Sequence, residues 1–208
     1  MTYKLYGARR SGAVMIELAL AEIGADYEFV STRLGKGAKD SDPYLAINPT
    51  GKLPALQMPD GEIVTESAAI LMTLADCHPE SGLLPRRRGQ ARTNAIRWTI
   101  FVAAEIYPMI EIIDYPERFV EKAQAGFLKD KVRARLRRRW SAVEAAIAGD
   151  PWLGASGPSI ADLAIANVSR WSTGKRWRSK NCPRIEAIAG ALSRRESTGA
   201  VWMAHFGK

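Results

Sequence analysis

The stretch from Asn48 to Ser67 constrains the fold of this chain more than any other part of the sequence. It begins with a turn, because proline at Pro49 fixes φ and glycine at Gly51 accepts a positive φ. Leu53–Met58 then predicts a strand, and Pro59-Asp60-Gly61 predicts the tight turn of a hairpin. A helix is expected directly afterwards, from about Glu66 to Cys77. A hairpin that passes straight into a helix limits the chain to a small set of mixed α/β folds.

Two backbone features of this stretch suit it to bind a ligand. Pro54 has no N–H to donate to a ladder, so it belongs at the start or the edge of a strand. The backbone N–H and C=O groups of Leu53 can therefore face a ligand instead of a neighbouring strand. Thr65-Glu66-Ser67 precedes the helix, and N–H and hydroxyl groups at a helix start bind anions such as carboxylates.

The pattern resembles the glutathione-binding half of the glutathione S-transferases. The family pattern is Asn-Pro-x-Gly-x-Val/Ile/Leu-Pro-x-Leu, a short hairpin, and then Glu/Gln-Ser at a helix start. This chain carries it as Asn48-Pro49-Thr50-Gly51-Lys52-Leu53-Pro54-Ala55-Leu56 and as Glu66-Ser67. The alternative is a hairpin and a helix in another small α/β domain. The resemblance implies glutathione as co-substrate, and it extends over nearly the whole chain.

The elements predicted before residue 48 agree with this resemblance. They are a strand, a helix, a second strand, a polar loop or short helix, and one helical turn: Thr2–Tyr6, Ala13–Ile23 with Gly24 as its stop, Tyr27–Val30, Gly35–Asp40 and Asp42–Leu45. A β-α-β unit favours a parallel strand pair. The complete order β-α-β-α-β-β-α is that of a thioredoxin-like domain, which we place at residues 1–78.

The remainder of the chain predicts an all-helical C-terminal domain. His78–Pro85 breaks every helical period and is expected to be the linker, so the second domain spans residues 86–208. A helix from Ala91 to about Ile113 contains Pro108, which predicts a kink or break near Tyr107. The fold class is therefore α/β followed by all-α.

Two more helices are predicted in this domain. One runs from Phe119 to Ala148 and ends at Gly149-Asp150-Pro151. The other opens with Ser159-Ile160-Ala161-Asp162, a capping box in which serine and acid satisfy backbone N–H groups reciprocally. The same box resembles the start of the central buried helix in the transferases. Pro158 stands where that family usually has a branched apolar residue.

Composition excludes several classes of protein. Hydrophobic residues make up 47% and charged residues 25% of the chain, as in soluble globular proteins. We expect no membrane association and a cytoplasmic location, since no apolar run is long enough to span a bilayer and the N-terminus opens a strand. The two cysteines, Cys77 and Cys182, have no metal or redox spacing, so no metal is expected.

The net charge of +8 is concentrated in the basic run 129–139. No aromatic residues interleave this run, so a solvated helix face is favoured over nucleic-acid binding. A basic surface could also attract an anionic tripeptide such as glutathione.

The resemblance implies six glutathione-binding residues: Lys39, Lys52, Leu53, Pro54, Glu66 and Ser67. The Leu53 backbone would bind the cysteinyl part, with a cis peptide before Pro54. Glu66 and Ser67 would bind the γ-glutamyl end. Lys52 would reach the glycine carboxylate, with help from Lys39.

Thiol activation is expected in the turn before the first helix. The thiolate is the nucleophile, and a free thiol has a pKa of about 8.5, so this pKa must be lowered. Ser11 supplies a hydroxyl, the following helix supplies N–H groups, and Arg9 and Arg10 supply positive charge. Ser11 resembles the serine of the serine-type classes, although its spacing is about one residue off, so the Arg10 backbone could stand in the expected place. Tyr6 is the rival, because the tyrosine-type classes use a tyrosine near the end of the first strand.

Substrate and partner predictions rest on the same resemblance. The turn has no cysteine, which argues against thiol–disulfide exchange. The second substrate is expected to be a hydrophobic electrophile, or a peroxide, and the helical domain would supply its pocket from Trp98, Tyr107, Ile110 and Tyr115. A homodimer is expected. The alternative function is a non-catalytic, transferase-like binding module.

Overall fold

The computed structural model describes residues 2–32, 43–154 and 157–207. These residues form two compact units. The first contains the residues up to Leu83 together with those from Leu192 onward, and the second runs from Leu84 to Ala191. The predicted loop at Gly35–Asp40 lies outside the described residues.

A four-stranded mixed sheet is the centre of the first unit. Its strands are β1 (Tyr3–Gly7), β2 (Tyr27–Ser31), β3 (Ala55–Gln57) and β4 (Ile63–Thr65), in the order β2-β1-β3-β4. β1 pairs in parallel with β2, as the β-α-β pattern predicted, and antiparallel with β3. β3 and β4 form the predicted hairpin. With its helices, this sheet makes the thioredoxin-like domain that the sequence indicated.

Two helices complete this layer. α1 (Ala13–Ile23) has the predicted bounds, and it ends at Gly24 with φ of 74°. Every residue of α1 from Ala13 to Leu20 is buried, which explains why this helix is apolar almost all round. α2 (Ser67–Cys77) follows β4 directly and buries Ile70, Leu71 and Leu74.

The second unit is helical. Its helices are α3 (Gln90–Phe101), α4 (Tyr107–Asp114), α5 (Ala125–Ala146), α6 (Ile160–Val168), α7 (Lys175–Asn181) and most of α8 (Pro183–Arg194). A π-helical segment, Val102–Ile106, joins α3 to α4. Proline removes an N–H from the ladder, so the irregularity that Pro108 predicted takes the form of a wide helical turn before it. A helix was expected from Phe119, but α5 begins only at Ala125, after two short 3₁₀ turns.

The capping box predicted before α6 is confirmed. One carboxylate oxygen of Asp162 accepts hydrogen bonds from the Ser159 amide at 2.8 Å and from its hydroxyl at 2.6 Å. The other oxygen accepts from the Leu153 amide at 2.7 Å. Burial nevertheless raises the pKa of Asp162 above its usual value. Ser159 and Asp162 therefore have a structural role at the start of α6.

The last helix, α9 (Gly199–Phe206), belongs to the first unit and packs against α1. The sequence placed all residues from 86 onward in the helical domain, and the compact units differ from that division after Ala191. The physical reason is the packing of α9 on α1, together with contacts to Glu17 and Glu22 of α1 from His205, Arg195 and Ser197, which no local sequence pattern indicates. Within the described ranges, no helix is both long and apolar enough to cross a membrane.

Candidate functional site

Three strand ends meet at one edge of the sheet. Tyr6 of β1 lies opposite Ala55 of β3, and Ala55 lies opposite Thr65 of β4. Chain continuity therefore brings the turn after β1, the segment before β3 and the start of α2 to the same edge. These are the three segments in which the sequence predicted glutathione contacts and thiol activation.

The turn before β3 is built around the buried side chain of Asn48. Its amide nitrogen donates to the Lys52 carbonyl at 2.7 Å. Its oxygen accepts from the Thr50 amide at 3.1 Å and from the Thr50 hydroxyl at 2.8 Å. Gly51 has φ of 64°, the left-handed conformation that the turn requires. Asn48 thus fixes the backbone immediately before Leu53.

The Leu53–Pro54 peptide is cis, which confirms the expectation for this segment. Leu53 lies outside β3, which begins at Ala55. Leu53 is half-buried, between an exposed Lys52 and a buried Pro54. Tyr44, which the sequence analysis did not assign, donates its hydroxyl to the Lys52 carbonyl at 2.7 Å.

The start of α2 has an unusual backbone. Glu66 is exposed and has φ of 63°, a conformation that residues other than glycine seldom adopt. Residues held in such conformations cluster at binding and active sites. Ser67, the first residue of α2, follows it and is half-buried. The hydroxyl of Ser67 and the first amides of α2 are suited to a carboxylate.

Ser11 lies in the turn between β1 and α1. Its hydroxyl oxygen accepts hydrogen bonds from the Ala8 amide at 3.3 Å and from the Ala13 amide at 3.1 Å. These bonds join the end of β1 to the first residue of α1 and orient the hydroxyl. A serine hydroxyl has two acceptor lone pairs and one donor proton. Ser11 is half-exposed at the positive end of α1.

Arg10 adopts φ of 59° and is bound to the last helix. Its backbone amide donates to Nδ1 of His205 at 3.2 Å, and its side-chain Nε donates to the His205 carbonyl at 2.7 Å. The amide of Arg10 is therefore directed at α9. This contact weighs against the Arg10 backbone as the group that binds a thiol.

Tyr6 lies on the face of β1 opposite the one formed by its buried residues. The buried residues Tyr3, Leu5 and Gly7 alternate with Lys4 and Tyr6 along the strand. The ring of Tyr6 packs against that of Tyr44, with centroids 6.0 Å apart. Tyr6 thus supports the turn that carries Lys52, through Tyr44.

The four residues predicted for the second substrate lie in the helical unit and differ in exposure. Trp98 and Ile110 are buried, and Trp98 packs edge-on against Phe101. Tyr107 is half-buried and packs edge-on against Trp171, with ring centroids 4.8 Å apart. Tyr115 is exposed, and the Arg118 guanidinium lies over its ring at 4.2 Å.

Lys39 lies outside the described residues. Among the described residues, no cluster of histidine, cysteine, aspartate and glutamate is suited to hold a metal. His205 and Glu17 were not predicted as part of the site, although a glutamate inside an apolar helix indicates a residue that needs a distant partner.

Comparison with known proteins gives a consistent result. The family described as "Glutathione S-transferase, N-terminal domain" matches residues 1–76. The glutathione S-transferase GstA of Escherichia coli O157:H7 is 29% identical over 196 residues, which span 92% of this chain and 93% of that protein.

Solved structures extend the similarity to the helical unit. A glutathione transferase from Methylococcus capsulatus is 31% identical, with a TM-score of 0.80 and 98% of both chains covered. A sphingomonad glutathione S-transferase complexed with glutathione is 26% identical, with a TM-score of 0.79, and the match covers 97% of this chain and 98% of that chain.

Proposed function

This chain belongs to the glutathione S-transferase family of enzymes, and we propose that it activates the thiol of bound glutathione for attack on a hydrophobic electrophile or for reduction of a peroxide. In conjugation, the thiolate sulfur forms a bond to an electrophilic carbon, and the leaving group departs with its electron pair. The observation that carries the proposal is the convergence of three segments at one sheet edge: the Ser11 turn, Leu53–Pro54 and Glu66-Ser67.

Each segment has a role in binding glutathione under this proposal. The Leu53 backbone next to Pro54 binds the cysteinyl part, and Glu66 with Ser67 binds the γ-glutamyl end. Lys52 reaches the glycine carboxylate, assisted by Lys39. Asn48 maintains the turn and makes no contact with the ligand.

Ser11 is the proposed activator of the thiol. A hydroxyl that donates to the sulfur and the N-terminus of α1 both favour the thiolate over the thiol. Lowering the pKa of the thiol by about two units requires about 2.7 kcal/mol of differential stabilisation. Two observations favour Ser11 over the alternatives, because the Tyr6 ring packs on Tyr44 and the Arg10 amide is directed at His205.

The second substrate, the assembly and the location complete the proposal. The proposed electrophile pocket is formed by the buried Trp98 and Ile110 and by the more exposed Tyr107 and Tyr115. We propose a cytoplasmic homodimer, in which α2 and α3 contribute to the interface; the 43% exposure of Ile100 on α3 is consistent with this.

Calorimetry with glutathione and a conjugation assay test the function. We expect binding, with affinity reduced at least tenfold in Ser67→Ala, because a charge-assisted hydrogen bond contributes about 1.5–3 kcal/mol. Ser141→Ala, which changes an exposed serine of α5, is the matched control. Binding without turnover would favour a non-catalytic module. Absence of binding would contradict the proposal.

A further inference from the structure

Glu17 is a buried carboxylate in the middle of the apolar helix α1. It is only 7% exposed, although its neighbours along the helix are all apolar. A buried carboxylate is stable only when hydrogen bonds replace its hydration. One oxygen accepts from the Tyr27 hydroxyl at 2.9 Å, and the other lies 2.5 Å from Nε2 of His205. Burial raises the pKa of Tyr27, and the Glu17 carboxylate raises it further, so Tyr27 remains a donor.

The other ring nitrogen of His205 determines which tautomer is present. Nδ1 accepts the Arg10 amide proton at 3.2 Å, so the ring proton is on Nε2 and is donated to Glu17. Glu17 therefore orients the imidazole, as a carboxylate behind a histidine does in many active sites. His205 in turn orients Arg10, with the second bond from Arg10 Nε to its carbonyl at 2.7 Å.

This contact fixes an unfavourable conformation beside the proposed activator. Arg10 has a positive φ, and a residue other than glycine keeps this backbone conformation only when surrounding contacts hold it. Ser11 follows directly, and its hydroxyl is oriented by the amides of Ala8 and Ala13. Because Arg10 lies in the chain between Ala8 and Ala13, its conformation affects where these two amides stand relative to the Ser11 hydroxyl.

We propose that His205, near the end of the chain, is a positioning residue for thiol activation: held by Glu17, it fixes Arg10 so that the Ser11 hydroxyl faces the glutathione sulfur. This inference rests on the proposed function. It gives α9 a role in catalysis that goes beyond covering α1. His205 does not touch the sulfur and exchanges no proton with it.

A second contact anchors the same segment and provides a control. The Arg195 guanidinium forms a bidentate ion pair with Glu22 of α1, and the Ser197 hydroxyl donates to Glu22 at 2.6 Å. These residues lie before α9, and the side-chain bonds described for them go to Glu22, near the opposite end of α1 from Arg10. Arg195→Ala therefore loosens the C-terminal segment without altering the bond between His205 and Arg10.

Two amide variants test the two hydrogen bonds of the His205 imidazole separately. In His205→Gln, the amide nitrogen can replace Nε2 as the donor to Glu17, but no acceptor remains for the Arg10 amide. In His205→Asn, the amide oxygen can replace Nδ1 as the acceptor, but no donor reaches Glu17. Thermal unfolding then reports the Glu17 contact, and the ultraviolet absorbance of bound glutathione thiolate against pH reports the Arg10 contact.

We expect His205→Gln to raise the apparent pKa of the bound thiol by about one unit and to lower kcat at neutral pH about tenfold. Its KM for glutathione and its Tm should change little. His205→Asn should lower Tm while recovering most of the thiolate, and Arg195→Ala should leave the titration unchanged.

Two results would overturn the inference. If His205→Gln leaves the titration of the thiol unaltered, His205 has no positioning role, while the proposed function stands. If the Gln and Asn variants change the titration equally, and in proportion to Tm, the role of His205 is structural only. Failure of the unmodified protein to bind glutathione would overturn the proposed function and this inference together.

Discussion

The turn at Asn48–Leu53 and the turn at Ala8–Gly12 stand at the same edge of one sheet, yet different kinds of contact hold them. The first is built from its own residues, since Asn48 bonds to Thr50 and to Lys52 at sequence separations of 2 and 4. The second also has local bonds, from Ser11 to Ala8 and Ala13, but it is tied in addition to His205, which lies 195 residues from Arg10. The proposed binding segment is thus held by local bonds, whereas the proposed activating segment combines local bonds with a contact to a distant helix.

This difference separates affinity from activation. A change in the local turn should weaken glutathione binding. The thiol pKa of the glutathione that still binds should be unchanged. A change in the long-range contact should shift the thiol pKa and leave affinity nearly intact. The following variants test this separation.

Glu17→Ala should produce the largest loss of stability. It leaves the Tyr27 hydroxyl and His205 Nε2 without their acceptor, and a lost hydrogen bond to a buried charged group costs about 1.5–3 kcal/mol. We expect a loss of about 3 kcal/mol in the free energy of unfolding, measured by urea denaturation. Glu62→Ala, an exposed acid in the same unit, is the control. A loss below about 1 kcal/mol would contradict a structural role for the buried carboxylate.

Asn48→Ala should have a smaller effect on stability and a larger one on affinity. Because the side chain makes three hydrogen bonds, we expect a loss of about 2 kcal/mol, with glutathione affinity reduced more than tenfold. Thr50→Val removes only one of these bonds and should cost about 1 kcal/mol or less. The thiol pKa of bound glutathione should be the same in all three proteins; a shift in Asn48→Ala would show that the two turns are not independent.

The Glu22 contact should have the smallest effect and should depend on pH. Burial acts to raise the pKa of Glu22, but hydrogen bonds from Arg195 and Ser197 hold it below its usual value. A carboxyl whose pKa is lower in the folded state stabilises the protein at pH values above its unfolded pKa, which is about 4.3 for glutamate. This stabilisation is lost as the pH falls through the pKa of the folded state. Arg195 is partly exposed, so the contribution is about 1 kcal/mol or less.

Glu22→Gln measures this contribution directly. The unmodified protein should be more stable than the variant at neutral pH, and the difference should disappear under acidic conditions below the folded pKa of Glu22. Urea unfolding of both proteins at each pH is the measurement. A difference that stays constant with pH would mean that the charge of Glu22 is not what anchors the C-terminal segment.

The sequence predicted the elements whose signals are local. α1 was predicted residue by residue because an apolar run ends at Gly24, a position that requires a left-handed backbone. The capping box at Ser159 and the hairpin at Pro59–Gly61 were predicted correctly because their signals are also local. Pro108 indicated a disturbance near Tyr107, but not that the preceding segment would widen into a π-helix.

Contacts between distant parts of the chain were not predictable in the same way. Glu17 in an apolar helix showed that a partner was required, but nothing near it in sequence identified His205. The start of α5 was placed six residues too early because residues 119–124, which include the second 3₁₀ turn, contain no proline or glycine. The grouping of α9 with α1 depends on these same distant contacts.

The central claim is that the Ser11 hydroxyl activates the thiol, and titration of bound glutathione tests it most directly. The ultraviolet absorbance of the thiolate would be followed against pH in the unmodified protein and in Ser11→Ala, Ser11→Thr and Tyr6→Phe. We expect Ser11→Ala to raise the apparent pKa of the thiol by one unit or more, about 1.4 kcal/mol, while Ser11→Thr and Tyr6→Phe stay near the unmodified value. Loss of the thiolate in Tyr6→Phe with an unchanged titration in Ser11→Ala would contradict the account and assign activation to the tyrosine.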